Sequence, residues 1–427
     1  MKRRLSSRVK LTAILGNVAL IMLGVGIALG LMELSLRINP NLVPPEVRVD
    51  PPVRRVKAFV DESYNIKLSD GDLFYWMRGM VAPLPPEKDK VVAQVHLTTD
   101  ADGFRNPLPE KSTYDIVALG DSFTFAGNVV TPWPQKLAEL TRINVLNLGE
   151  AGAGPQQELE VLRQHGLKKR PQWVIMAYFE GNDLYDAAAY EQANPFIIAR
   201  VGKHILTRRP EMWNERMSGN VNPEVGEGDV SSPQTGSGYQ YPITVTIEDS
   251  NLEMAFFSYY ITWLSAPRET IEASHNFRLV KETILQVREL SEAAGARFLL
   301  VYVPSKLHVY LQYLKDAEAL ARVFTNVPAL ELDEAGFLQL ANQTATAELT
   351  RQHMDDQADA LADFAAEQNI IFLNLTPYFQ AEAGAGAEFY HPFDTHWNQR
   401  GHNLAAEGIA NYIGDMLPVT GNMKSGK

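Results

Sequence analysis

Five short apolar runs, each closed by a turn, constrain this chain more than any other feature of its 427 residues. They are Ile116 to Leu119, Asn144-Val-Leu-Asn-Leu, Trp173 to Phe179, Arg297 to Val303, and Ile370 to Asn374. Each is too short for a helix and rich in β-branched or aromatic residues, which reads as a buried strand. Helical stretches alternate with them: Pro134 to Arg142, Gln156 to Gln164, the amphipathic His275 to Ala294, Glu348 to Gln368, and a closing helix over Gly401 to Met416. Strands that alternate with helices predict a parallel sheet covered by helices on both faces.

The flanks are different in kind. Lys2, Arg3, Arg4, Arg8 and Lys10 precede an uncharged, mainly apolar run from Leu11 to Met32. As a helix that run would cover roughly 33 Å, enough for a bilayer core of about 30 Å. A cleaved signal peptide has a shorter apolar core and a small-residue cleavage site. Here the run passes into Glu33-Leu-Ser-Leu-Arg-Ile, so residues 1–36 read as a cytoplasmic tail and uncleaved anchor. Positive charge before the span keeps the N-terminus cytoplasmic and places the remainder outside the cytoplasm, periplasmic or at the cell surface. Prolines at 40, 44, 45, 51 and 52 make residues 37–56 an extended linker. Residues 57–110 read as a lead-in or small β subdomain, with a strand at Val92-Ala-Gln-Val-His-Leu-Thr. The main domain covers 111–420, with an insertion at 193–265 and a second, helical one at 317–352. The middle of the first insertion, Ser218 to Tyr241, is rich in Gly, Pro, Asn and Ser and predicts a mobile loop. Its aromatic end, Phe256 to Leu264, reads either as a helix on the core or as a wall over the groove.

In a parallel sheet the loops after the strands open on one edge. Ser122, Gly152 and Asn182 follow the first, second and third runs, and Asp394-Thr-His396 follows the fifth. These are the parts of acyl transfer. A serine hydroxyl needs a base, histidine serves near neutral pH, and a carboxylate on the far imidazole nitrogen fixes the tautomer. The oxyanion needs preorganised donors. The Ser122 and Gly152 backbone N–H groups and the Asn182 amide would supply them, and glycine lets the backbone come close at position 152.

Gly120-Asp-Ser122, Asn147-Leu-Gly-Glu-Ala-Gly152, Gly181-Asn-Asp183 and Asp394-Thr-His396 with Asn398 and Gly401 resemble the blocks of the SGNH or GDSL hydrolases. The resemblance runs from about Asp115 to the C-terminus, insertions apart. It implies a flavodoxin-like three-layer α/β/α fold with a five-stranded parallel sheet, Ser122 as nucleophile, His396 as base and Asp394 as acid. Many members space acid and base as D-x-x-H, where this chain has D-x-H. The form Asp-Thr-His-Trp-Asn is similar to membrane-anchored and periplasmic members that acetylate bacterial polysaccharides.

Other residues have plainer readings. Asp121 bonds turn amides, Asp183 shapes a turn or caps a helix, and His402 packs or caps the last helix. Lys306 reads as a solvated lysine, with contact to an anionic substrate as the alternative. A metal cluster of His391, Asp394, His396 and His402 would leave Ser122, Gly152 and Asn182 without a role, so no metal or cofactor is expected. A net charge of -12 argues against nucleic acid as a partner, and the absence of cysteine excludes a thiolate nucleophile. Three functions stand open: an esterase on acyl, chiefly acetyl, esters, including those of a glycan; an O-acyltransferase using the same triad on a polysaccharide; and a non-enzymatic, membrane-tethered glycan-binding or scaffold module.

Overall fold

The computed structural model describes residues 2–39, 42–43, 63–69, 91–193, 197–198, 243–392 and 394–416. Most of the linker 37–56, and Ser218 to Tyr241 of the first insertion, lie outside the described residues. The chain divides into two units, Met1–Pro52 with Glu191–Asn220, and Val53–Tyr190 with Val221–Lys427.

In the first unit a helix spans Lys2–Ile38. Its part Gly16–Ile38 is long and apolar enough to cross a membrane. At its C-terminal end Glu33 accepts hydrogen bonds from the backbone N–H groups of Ile197 (3.1 Å) and Ile198 (2.8 Å).

The second unit contains β1 (Ser63–Ser69) and β2 (Val91–Thr98), which pair antiparallel. Its main sheet comprises β3 (Ile116–Leu119), β4 (Val145–Asn147) and β5 (Trp173–Phe179). After a hairpin of β6 (Ile243–Ile247) and β7 (Ser250–Met254) comes β8 (Arg297–Val303). A second hairpin, β9 (Pro328–Leu332) with β10 (Leu338–Thr344), precedes β11 (Ile371–Asn374). The main sheet runs β11-β8-β5-β3-β4. All its pairs are parallel. Counted within the sheet, that order is 2-1-3-4-5, the flavodoxin-like winding.

Alternation along β5 shows how the two layers of core form. Trp173, Ile175, Ala177 and Phe179 face one layer, with Trp133 and Leu137 of helix Trp133–Thr141 and Ala405, Ala406 and Ile409 of helix Gln399–Ile413. Val174, Met176 and Tyr178 face the other, with Val280, Ile284 and Val287 of helix His275–Ala293 and Leu361 and Phe364 of helix Asp356–Glu367. All seven residues of β5 are buried, and a fully buried large apolar side chain contributes about 1.5–3 kcal/mol.

Two expectations are corrected. The 317–352 insertion is not all helical. After helix Ala317–Val323 it forms the β9–β10 hairpin, whose turn is held by Asp333 Oδ1 accepting from Ala335 N (2.9 Å) and Phe337 N (2.8 Å). The run Glu348 to Gln368 is two helices, Ala347–His353 and Asp356–Glu367, broken by turn residues Met354 and Asp355.

The end of β4 is tied to the segment after β3. Asn147 donates from Nδ2 to Thr124 O (2.8 Å) and accepts from Gly149 N (2.8 Å). A Cβ on Gly149 would overlap the Phe125 backbone nitrogen and lie 2.5 Å from Thr124 C. Backbone on both sides cannot yield as a side chain would. Gly149→Ala should therefore destabilise the protein by about 1–3 kcal/mol, which is several degrees of Tm. Thermal unfolding of the full chain in detergent measures it, and an unchanged Tm would show that this close approach is not a constraint.

Candidate active site

The strand β3 ends at Gly120, where φ is +152° and a Cβ would clash with Thr124. The chain turns there into a single helical turn, Ser122–Phe125. Asp121 caps it by accepting from Phe123 N (2.9 Å), the structural role expected of it, and Ala126 closes it at φ +53°. Ser122 is left half-buried at the carboxyl edge of the sheet.

The opposing loop is fixed at both ends. Tyr390 bridges Trp397. Asn398 donates to Glu388 O and Tyr390 O, and caps the last helix by accepting from Arg400 N and Gly401 N. Trp397 stacks on Phe379 at 5.0 Å and meets Phe123, next to the serine, edge-on at 5.1 Å. Gln399 exchanges two hydrogen bonds with the Thr131 backbone, at 2.9 and 2.8 Å.

These supports bring Ser122 Oγ to 2.8 Å from His396 Nε2, and His396 Nδ1 to 2.8 Å from Asp394 Oδ1. The D-x-H spacing lets one carboxylate oxygen do several jobs. Asp394 Oδ1 also accepts from Thr395 N (2.6 Å) and His396 N (3.3 Å), so it holds its own loop as well as the ring. Asp394 is buried. Burial alone would push its carboxyl up, but the His396 charge and hydrogen bond hold it well below the usual range. For His396, burial favours the neutral ring. The charge and hydrogen bond of Asp394, with Asp121, outweigh burial and raise its pKa.

The three expected oxyanion donors sit at the same edge. Gly152 is exposed, with φ +77° and open space where a Cβ would point. Among the described residues, neither Ser122 N nor Gly152 N has an acceptor. Asn182 is half-buried, and its amide lies against Asp121, helping to restrain a carboxyl that burial pushes up to about 6. Asp183 turns back into the fold and accepts from Phe179 N (2.8 Å), as a turn-shaping residue does. Burial, then the charges of Glu158 and Asp121, raise its pKa well above the carboxylate range. His402 is buried edge-on to Trp397 at 5.5 Å. Among the described residues, no group of three or more acidic or histidine side chains could hold a metal ion.

Lys306 is not the solvated lysine expected. Only 4% of it is exposed, and its ammonium donates to Ala255 O (3.0 Å), His391 O (2.7 Å) and Pro392 O (3.1 Å). The sequence reading missed Glu180 and His308 altogether. Glu180 precedes Gly181 and is fully buried. It accepts from Tyr302 Oη (2.5 Å) and Ser305 N (2.6 Å) and pairs with His308 Nδ1 (2.8 Å). Burial opposes charge on His308, but Glu180 and Asp355 raise its pKa to about 10. The adjacency of Glu180 to the Gly181-Asn182 turn was the one signal available; His308 carried none. The aromatic stretch is a helix on the core, the first of its two readings. In helix Ser258–Trp263, Ile261 and Trp263 are buried in the core. Tyr260 meets Phe179 edge-on at 5.0 Å and lies close beside Gly181 at the site.

Residues 338–425, which include Asp394 and His396, match the family model described as SGNH hydrolase-like domain, acetyltransferase AlgX. Similar solved structures include a protein described as lipolytic and of the G-D-S-L family from Desulfitobacterium hafniense DCB-2. It is 14% identical, with 71% of this chain and 99% of that one covered at a TM-score of 0.33. A catalytic mutant of an acetylxylan esterase from Geobacillus stearothermophilus is 12% identical, with 72% and 97% covered at a TM-score of 0.32. No curated protein matches the chain.

The pairing with Asp394 raises the His396 pKa, so removing the carboxylate must lower it. Asp394→Asn should shift the His396 titration to lower pH, as read by NMR of labelled histidine rings. A titration that stays in place would show that Asp394 does not control the ring.

Proposed function

We propose that this chain, which carries an SGNH hydrolase-like domain, is a serine-dependent acyl-transfer enzyme that cleaves acyl esters, acetyl esters foremost. The observation that carries the reading is the unbroken hydrogen-bonded line from Ser122 through His396 to Asp394, at 2.8 Å for each link. A non-enzymatic glycan-binding or scaffold module has no need of it.

In this reading His396 Nε2 takes the Ser122 proton as Oγ bonds to the acyl carbon. The oxyanion that forms is held by the Ser122 and Gly152 N–H groups and the Asn182 amide. His396 then returns its proton to the departing alcohol, and the C–O bond breaks to leave acyl-Ser122. Water attacks the acyl-enzyme while His396 again takes a proton, then passes it to Ser122 Oγ as the acyl C–Oγ bond breaks and the acid is released. Asp394 stays ionised throughout and stabilises the imidazolium. Because His396 must be neutral to act, and its pKa is raised from 6.5, kcat/KM should rise with pH along an acid limb lying above that value.

The match of residues 338–425 to an acetyltransferase-described model supports a second reading. There a sugar hydroxyl replaces water at the second step, and the acetyl group moves to a polysaccharide. We place the domain outside the cytoplasm on a single-pass anchor. The apolar helix and the positive residues before it support this topology. A C-terminal reporter active only in the cytoplasm would overturn the orientation.

The full chain in detergent, given an acetyl-ester reporter with and without oligosaccharide acceptors, tests both readings through the acetate and acetyl-sugar formed. Ser122→Ala should lower turnover by about 10³-fold or more with Tm unchanged. A variant that keeps over about a tenth of the rate would refute the nucleophile. Asn182→Ala should lower kcat and kcat/KM together by about 10²–10³. A raised KM as its only effect would remove Asn182 from the oxyanion site.

A further inference from the structure

We propose that Lys306 is a positioning residue for the base. Its ammonium ties the loop that carries Asp394 and His396 to the edge of the sheet and to the end of the β6–β7 hairpin.

The argument begins with the lysine's own footing. Lys306 opens the short helix Lys306–Tyr310, which follows β8. That helix is held down by Glu180, which accepts from Ser305 N and pairs with His308, itself paired on its other nitrogen with Asp355 (3.0 Å). From this fixed base the side chain reaches three carbonyls in two segments distant in sequence. Ala255 follows β7, while His391 and Pro392 lie just before Asp394. The two segments also join each other, through Ala255 N donating to Pro392 O (2.7 Å). The lysine thus closes a three-way junction directly behind the acid and the base.

An ammonium has three donors, and three carbonyls use them all. None is left for an anionic substrate, although the side chain borders a small cavity shared with Phe257, Tyr260 and Thr395. Nor is Lys306 a plain packing residue. No carboxylate lies within ion-pair distance of it among the described residues, and an apolar side chain would cost far less to bury. What the ammonium adds, and methionine could not, is a grip on three carbonyl oxygens at once.

The junction has an electrostatic side as well. The groups that act on His396 are Asp394 on its own loop, Asp121 beside the serine, and Lys306. His391 and His402 also lie within electrostatic reach. The carboxylates favour the imidazolium, and the Lys306 charge opposes it. Burial lowers the Lys306 pKa to about 7 against the charges of Asp394 and Glu388, so this charge fades as pH rises through that value; where it is present, removing it should move the His396 titration upward. A residue that only filled space would leave it alone.

The test uses the full chain in detergent with Lys306→Met and Lys306→Arg. Its kinetic arm rests on the acyl-transfer reading. Its second arm, NMR titration of the His396 ring in a Ser122→Ala background, does not. Lys306→Met should lower kcat by about 10–100-fold through misplacement of the base, with KM within about threefold of wild type. Its His396 titration should move to higher pH. Arginine keeps the charge, but its planar fork cannot converge three donors in this way. Lys306→Arg should therefore lose kcat while the His396 titration stays near that of wild type. Wild-type kcat with an unmoved titration in Lys306→Met would overturn the proposal. If Lys306→Met does not fold, wild-type kcat in Lys306→Arg overturns it alone. If the wild-type chain turns over no ester, the acyl-transfer reading fails, and the titration arm still decides the role of Lys306.

Discussion

The hydrogen bond between Ser122 and His396 joins residues 274 positions apart, and the rest of the fold can be understood as what makes it possible. The serine follows β3, one strand in from the β4 edge, at the place where the winding of the sheet reverses. Such a reversal opens a crevice at the carboxyl ends of the strands. The histidine comes from a loop after β11, at the opposite edge, with β8 and β5 lying between. That loop must reach back across the sheet, and the segment that follows β8 supplies its footholds. Tyr390 Oη donates to Pro304 O (2.7 Å), Tyr310 Oη donates to Ala387 O (2.9 Å), and Lys306 holds His391 O and Pro392 O. A base placed this way has the rigidity that an attacking geometry of a few tenths of an ångström demands.

The crossing carries a price in buried charge, and each ion is answered differently. An uncompensated buried charge costs several kcal/mol. Asp394 is satisfied by the His396 ring and its own loop amides. Glu180 is satisfied by Tyr302, Ser305 and His308, so that the residue before Gly181-Asn182 is locked to the end of β8. Arg105 is buried with its guanidinium on Val129 O and Val130 O, which fixes the stretch that leads to Thr131 and its contact with Gln399. Among the described residues, carbonyl oxygens thus hold the buried lysine and arginine, Lys306 and Arg105, while carboxylates pair with the histidines His308 and His396. Beneath the serine the answer is different again. Asp121, Glu158, Asp183 and Asp186 share one neighbourhood; burial raises all four pKa values, and neighbouring carboxylate charges raise those of Glu158, Asp183 and Asp186 further. Protonation of Glu158, Asp183 and Asp186 spares the site a block of negative charge that, in the proposed reading, would oppose the oxyanion, while Asp121, raised only to about 6, keeps its charge beside His396 near neutral pH.

The strands of the main sheet were legible because burial on both faces leaves an unbroken apolar run, as in Trp173 to Phe179. The chemistry was legible because a parallel sheet sends every strand end to one edge, so Ser122, Gly152 and Asn182 could be grouped before any distance was known. The β9–β10 hairpin was misread because Pro328 to Thr344 was taken with the helices around it. Its Asp333 to Gly336 turn and alternating Leu338, Gln339 and Leu340 were the available signal. Lys306 was misread for a deeper reason. A lysine's burial depends on acceptors, and here these come from Ala255, His391 and Pro392, backbone atoms that no local pattern brings together. His308 is the same case, its partners Glu180 and Asp355 lying 128 and 47 residues away.

In the proposed reading, an acyl-enzyme at Ser122 carries no preference of its own between water and a hydroxyl. The base, the oxyanion donors and the leaving geometry are common to both outcomes. Selection falls to the surface around the acyl group, which must either admit water or hold an acceptor in its place. The first insertion contributes to that surface: the ring of Tyr260 lies between Phe179 and Phe257 and beside Gly181. Its footing is the junction at Ala255, which Lys306 holds together with the loop of the base. In the proposed reading, placement of His396 and of the Tyr260 surface therefore depends on one ammonium group. On that reading, a change that loosens it should disturb the chemical step and the choice of acceptor together.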